Sequence, residues 1–171
     1  MIPAVIDIEA SGFGPDSYPI EVGVVMPDGS RHCYLVRPEP EWTFWSRQAE
    51  RVHGIPRQRL LQRGHSVTEV ARLLNRLLAD STVYSDAWGH DLSWIGKLYD
   101  AAGVRQLFRL ESLRRLLTEE QAARWHPTKE AVLRQTRLER HRASADAMIL
   151  QLTWKRISLP AAAGAATPQQ P

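Results

Sequence analysis

Residues 4–14 read Ala4-Val5-Ile6-Asp7-Ile8-Glu9-Ala10-Ser11-Gly12-Phe13-Gly14. The stretch Ala4 to Ile8 is short, apolar and β-branched, which predicts a buried strand. Asp7 and Glu9 stand two positions apart in it, so on a strand their side chains project from the same face. Two carboxylates side by side at the end of a buried strand repel each other and lose hydration, a cost that a cation between them removes. Hard oxygen donors favour Mg2+ or Mn2+. A strand end emerging into solvent would also tolerate two acids, so the pair alone leaves both readings open. Ala10-Ser11-Gly12-Phe13-Gly14 supplies backbone donors and a hydroxyl at the strand's C-terminal end, where ligands bind in α/β sheets. It lacks the third glycine and the following helix of a dinucleotide fingerprint.

Outward from that strand, Ile20 to Met26 predicts a second strand and Arg31 to Arg37 a third, joined at the Asp28-Gly29 turn as an antiparallel hairpin. Residues 38–65 hold three prolines and no clear period, and predict loop with short helical pieces. Val67 to Leu78 carries apolar residues at helical spacing. Thr82 to Ser85 reads as a fourth strand and Val104 to Leu110 as a fifth. Asp91 to Ala102, with Leu92, Ile95, Leu98 and Tyr99 on one face, reads as a helix, as do Leu113 to Trp125 and Ala143 to Ile157. The order predicts an α/β fold: a mixed β-sheet of about five strands, the first three antiparallel, flanked by helices. One domain is expected over residues 1–158. Residues 159–171, rich in Ala, Pro and Gln, are expected to form a disordered tail.

The chain has 171 residues, 43% of them hydrophobic and 24% charged, which excludes disorder over most of its length. No apolar run reaches the roughly 18 residues of a membrane span. The first residues lack the basic start and apolar stretch of a secretory signal. Cys33 is the one cysteine, which excludes an internal disulfide and zinc-finger arrays; it is expected to pack in the hairpin. A cytoplasmic location is the expectation.

Near the other end stands His141-Arg142-Ala143-Ser144-Ala145-Asp146. Five residues apart on one helix, His141 and Asp146 would diverge by roughly 140°. They converge if His141 precedes the helix and Asp146 lies in its first turns. A histidine beside a metal-binding acid can deprotonate water.

The stretch VIDIEASGFG resembles the first motif of the DnaQ-like 3′–5′ exonucleases, and HRASAD resembles the third motif of their histidine-containing (DEDDh) subclass. SDAWGHDLSWIGKLY stands where the second motif belongs, with Ser85-Asp86-Ala87 in place of the usual His-Asn and a spacing one residue longer. Asp86 and Asp91 compete for the second-motif acid; Asp91 is preferred because the apolar pattern of the helix registers with it. Val52-His53-Gly54-Ile55 also resembles a segment of these enzymes. The resemblance spans residues 4 to about 155 and implies a ribonuclease-H-like fold. It implies that Asp7, Glu9, Asp91 and Asp146 bind two ions, Mg2+ or Mn2+, that Glu9 and His141 are catalytic, His141 as general base, and that Ala10, Ser11, Gly12 and Phe13 face the terminal nucleotide. His53 is expected to make a structural hydrogen bond only.

The implied activity is hydrolysis of phosphodiester bonds from the 3′ end of single-stranded DNA or RNA, releasing nucleoside 5′-monophosphates. The alternatives are a non-catalytic nucleic-acid-binding module of the same fold, or a phosphodiesterase for small oligonucleotides. The implied partner is a single strand with a free 3′ end, bound by a monomer or homodimer. The formal net charge is +3, and two bound divalent ions would raise it to +7, a better match for a polyanion. Residues 105–142 carry ten Arg or Lys against five Asp or Glu, which reads either as a phosphate-contacting rim or, for any single arginine more simply, as a solvated face of the helices. Phe13 and Trp88 are candidates to stack on a base.

Overall fold

The computed structural model describes residues 1–138 and 140–158. The tail expected at 159–171 lies outside the described residues. Five strands form one sheet: β1 (Ala4–Ala10), β2 (Pro19–Val25), β3 (Arg31–Leu35), β4 (Thr82–Ser85) and β5 (Arg109–Ser112). Their spatial order is β3-β2-β1-β4-β5; the joins β3–β2 and β2–β1 are antiparallel, and β1–β4 and β4–β5 are parallel. This is the α/β architecture expected.

Alternation along β1 decides where the chemistry sits. Ala4, Ile6, Ile8 and Ala10 enter one core, with the helices α3 (Val67–Leu78) and α4 (Trp88–Ala102) over that face. Val5 enters a second core beneath α7 (Ala143–Ser158), through Ala147, Leu150, Trp154 and Ile157. Asp7 and Glu9 share the parity of Val5, so they belong to the face that α7 covers. Gly23 lets α7 come close. It pairs with Asp7 across β1 and β2, and a Cβ built on it would lie 2.1 Å from both the Ala143 carbonyl carbon and the Ser144 nitrogen. The absent side chain on β2 thus seats the start of α7 directly beside Asp7.

Two short helices, α1 (Arg47–His53) and α2 (Arg57–Arg63), occupy the region expected to hold helical pieces. Ser46 caps α1, its side chain accepting from the Ala49 N–H, and Gly54 ends it at φ 66°.

Several expectations fail in detail. Leu113 to Trp125 is not one helix. It divides into a 3-10 turn (Leu113–Leu116) and α5 (Glu119–Ala123), because Thr118 and Gln121 form a capping box that starts a new helix. A further helix, α6 (Trp125–Gln135), follows where the sequence pattern predicts none. The fifth strand begins at Arg109, since the Leu107 N–H is taken by the Asn75 side chain and the Leu107 carbonyl by the Asp80 N–H. α4 starts at Trp88, so Asp91 lies in its first turn and is not its N-cap. Leu92 faces solvent and Trp94 is buried in its stead. Cys33 stands on β3 of the hairpin as an exposed residue whose thiol is nevertheless pushed up to about 11 by burial and then by Glu21 on β2.

Candidate active site

Four segments bring acids to the C-terminal end of β1. Asp7 and Glu9 come from β1 itself. Because β4 runs parallel to β1, the chain leaves β4 at the same edge, and the turn after it delivers Asp86 and then Asp91 in the first turn of α4. Asp146 comes from the first turn of α7.

The four expected acids sense one another. Burial raises the Asp7 carboxyl well above its usual value, and the charges of Asp91, Glu9, Asp146 and Asp86 push the same way. Glu9 is pushed up to about 7, first by burial and then by Asp146, Glu21 and Asp91, with Arg142 opposing. Asp91 also rises to about 7 through burial, although a hydrogen bond from the Ser85 hydroxyl holds it down. Burial raises Asp146 as well, against the hydrogen bond from the His141 N–H and the charges of His141, Arg140 and Lys129. One ligand-capable atom from each of Glu9, His141 and Asp146 lies within 4.8 Å of the other two. Such a crowd of carboxylates with one imidazole beside it suits a hard divalent cation.

Asp86 and Asp91 take different parts. Asp91 is buried at 1% exposure and is the foremost charge acting on Asp7. Asp86 is exposed and pairs with Lys129 Nζ at 2.7 Å. Ser85, standing where the resembled motif has histidine, accepts from the Ala87 N–H at 3.0 Å and donates to Asp91. The serine therefore fixes both the turn after β4 and the rotamer of the buried acid.

His141 precedes α7, as the convergence with Asp146 requires. Its φ is 60°, a left-handed conformation that costs a non-glycine residue roughly 1–2 kcal/mol. Two anchors hold it there. The His141 N–H donates to Asp146 Oδ2 at 2.9 Å. Next in sequence, Arg142 donates to Glu21 from Nε at 3.1 Å and from Nη2 at 2.6 Å, and the Ala143 N–H donates to Glu21 Oε2 at 2.8 Å. Glu21 is fully buried and opposes Glu9 across β1 and β2.

Beside Glu9 opens a cleft of about 230 Å³ between the β1 end and α1. Ala10, Gly12 and Phe13 line it. Ser11 does not line it: it is buried, and its hydroxyl accepts from the Tyr18 N–H at 3.2 Å. Phe13 stands 73% exposed at the rim, with His90 and Trp94 rings 5.5 and 6.3 Å from its own. Trp88 is anchored instead, its indole N–H donating to the Leu110 carbonyl at 3.0 Å.

His53 is a buried residue of the cleft wall. Its Nδ1 accepts from the Ile55 N–H at 3.0 Å, the expected structural bond. Its Nε2, however, is buried without a protein partner, and the residue lines the cleft. Burial holds its pKa below the usual histidine value, so the ring is neutral and the proton sits on Nε2. The Val52-His53-Gly54-Ile55 segment carries the signal; the open second nitrogen is visible only in three dimensions.

No protein-family model matches the chain, and no curated protein matches it. Solved structures do. The chain is similar to Escherichia coli exonuclease I in complex with a dT13 oligonucleotide, at 12% identity and a TM-score of 0.69, covering 91% of this chain and 40% of that one. It is similar to exonuclease I from Methylocaldum szegediense, at 13% identity and 0.70, covering 92% and 40%. A zinc-bound E. coli ExoI–ssDNA complex aligns at 13% identity and 0.62, covering 94% and 42%. The chain thus spans about two fifths of the length of these proteins. At this identity the likeness establishes the ribonuclease-H-like fold they share. No described helix is long and apolar enough to cross a membrane.

Proposed function

We propose that the chain is a metal-dependent 3′–5′ exonuclease that shortens single-stranded nucleic acid from its 3′ end and releases nucleoside 5′-monophosphates, with one domain over residues 1–158 carrying the site. The observation that supports it is the meeting of four acids from three separate stretches of the chain, each raised by burial and all at the C-terminal end of β1. Asp7, Glu9, Asp91 and Asp146 would hold two Mg2+ or Mn2+ ions. Bound there, such ions acidify water and neutralise the oxygen that leaves.

The remaining work falls to the chain's own residues. His141, fixed beside Glu9 and Asp146, takes the proton of the attacking water. The Ala10–Phe13 turn and α1 enclose the terminal nucleoside, with Phe13 at its rim. The His53 Nε2–H donates to an oxygen of that nucleotide, which satisfies the buried group. Ser85 and the Glu21–Arg142 pair position Asp91 and His141 and touch no substrate.

Oligonucleotides labelled at the 5′ or the 3′ end, incubated with Mn2+ or Mg2+, test the reading. The 5′ label is expected on a descending ladder and the 3′ label on mononucleotide from the start. Asp7→Ala should abolish both while the far-UV spectrum is unchanged. No shortening with either ion, or undiminished turnover by Asp7→Ala, would overturn it.

A further inference from the structure

The two flanks of the acidic cluster differ in charge. The cleft beside Glu9 contains no lysine or arginine among its lining residues and is mostly apolar, fit for a base and sugar. On the opposite flank, Asp7 and Asp146 share a trough of about 110 Å³ with Lys129 and Arg140, over a floor of Ile149 and Leu150. Asp86 lines this trough and also the next one, of about 290 Å³, where Arg114, His126 and Trp125 stand. Among the described residues, cations line the two hollows joined at Asp86 beside Asp7 and Asp146, and a third hollow, with Arg47, Arg51 and Arg57, lies off the cleft on the outer side of α1.

From this asymmetry we infer that the second flank is the track of the upstream strand: Lys129 and Arg140 take the phosphate after the scissile one, and Arg114 and His126 take the next. The inference deepens the exonuclease reading and rests on it. It makes a polymer of three or more nucleotides the substrate, with the terminal nucleoside seated in the cation-free cleft and every further phosphate on the cationic side. Present partners do not bar this role. The Lys129–Asp86 pair is about 30% exposed at both ends, and Arg114 pairs with Glu119, which is 93% exposed. Pairs this open to water contribute little, so a phosphate can displace the carboxylate.

Another basic surface provides the control. Arg59 and Arg63 on α2 are exposed, make no ion pair among the described residues and line neither trough. Removing them changes net charge as much as removing Lys129 and Arg140 does.

Fluorescence anisotropy in Ca2+ would follow oligothymidylates and oligouridylates of 2, 4 and 12 nucleotides across a salt series, with the nucleoside 5′-monophosphate as competitor. Wild-type protein should bind the four-mer about tenfold more tightly than the two-mer. Lys129→Gln/Arg140→Gln should lose that gain and flatten the log–log salt slope by roughly 0.7, the share of the one phosphate no longer neutralised. It should bind the mononucleotide as before, and Arg59→Gln/Arg63→Gln should match wild type throughout. Arg114→Gln, weakening the twelve-mer, tests the same track if the double variant does not fold. The track is overturned if the Lys129/Arg140 variant keeps the wild-type slope, if the α2 variant loses as much, or if wild type binds two-mer and twelve-mer alike. In each of those cases a retained mononucleotide site leaves the exonuclease reading standing. Absence of any mononucleotide or oligonucleotide binding by wild type overturns both.

Discussion

Glu21→Gln removes a charge from the middle of the sheet and keeps the shape of the side chain. Glu21 is fully buried on β2 and accepts from Arg142 and from the Ala143 N–H. Breaking one side of a buried ion pair costs roughly 3–5 kcal/mol, because the other charge is left without its partner. The Arg142 side chain is 28% exposed, so water recovers part of that loss, and about 3 kcal/mol is the expected destabilisation. The measurement is urea unfolding of wild type, Glu21→Gln, Arg142→Met and the double variant. The coupling between the two sites should be at least about 1.5 kcal/mol, as for contacting residues of one network. The same variant tests a catalytic consequence. The pair anchors the residue after His141, whose left-handed backbone needs restraint. Loosening it should lower kcat by at least tenfold with KM little changed. Loss of the Glu21 charge also relieves Glu9, whose pKa should fall below its present value of about 7. A Glu21→Gln protein within about 1 kcal/mol of wild type, with kcat intact, would refute the idea that this pair braces the His141 turn.

Gly23→Ala should move the start of α7 by roughly 1 Å, since the new Cβ would otherwise sit 2.1 Å from its backbone; about 100-fold less activity and 1–3 kcal/mol less stability are expected, read from kinetics and unfolding. Ser85→Ala should raise the Asp91 carboxyl further and weaken Mn2+ binding by tenfold or more, measured by calorimetry; unchanged affinity would dismiss the Ser85–Asp91 contact as functionally idle. In the absence of divalent ions the fold should be more stable at pH 5 than at pH 8. Glu9 and Asp91, raised to about 7, bind protons in the folded state that the unfolded chain releases near pH 4, so unfolding free energy falls as pH climbs between those values and levels off above them. Added Mg2+ or Mn2+ should accordingly raise Tm more at pH 8 than at pH 5, and equal shifts in differential scanning fluorimetry would count against ion binding at these acids.

What the sequence discloses divides along physical lines. Signals with a short period are legible. The β1 alternation places Asp7 and Glu9 on one face, and the turn at Asp28-Gly29 predicts the hairpin. The register of His141 before α7 follows from helical geometry alone. Features that depend on distant parts of the chain are not legible. Gly23 looks like any strand glycine until α7 is seated on it. Glu21 reads as one more acid in an apolar run, and Arg142, 121 positions away, makes it a structural charge. Lys129 is hidden because α6, a helix that the sequence pattern does not predict, carries the lysine round to Asp86. Ser11 misleads because a strand-end hydroxyl suits a ligand and a turn equally well; its bond to the Tyr18 N–H decides for the turn. Asp7 and Glu9 can be paired from sequence because repulsion between like charges on one strand is a local cost, whereas Asp91 and Asp146 enter only through the motifs that the chain resembles. The groups that brace these acids cannot be read there, because bracing is a relation between segments, and only the packing of β2 against the start of α7 creates it.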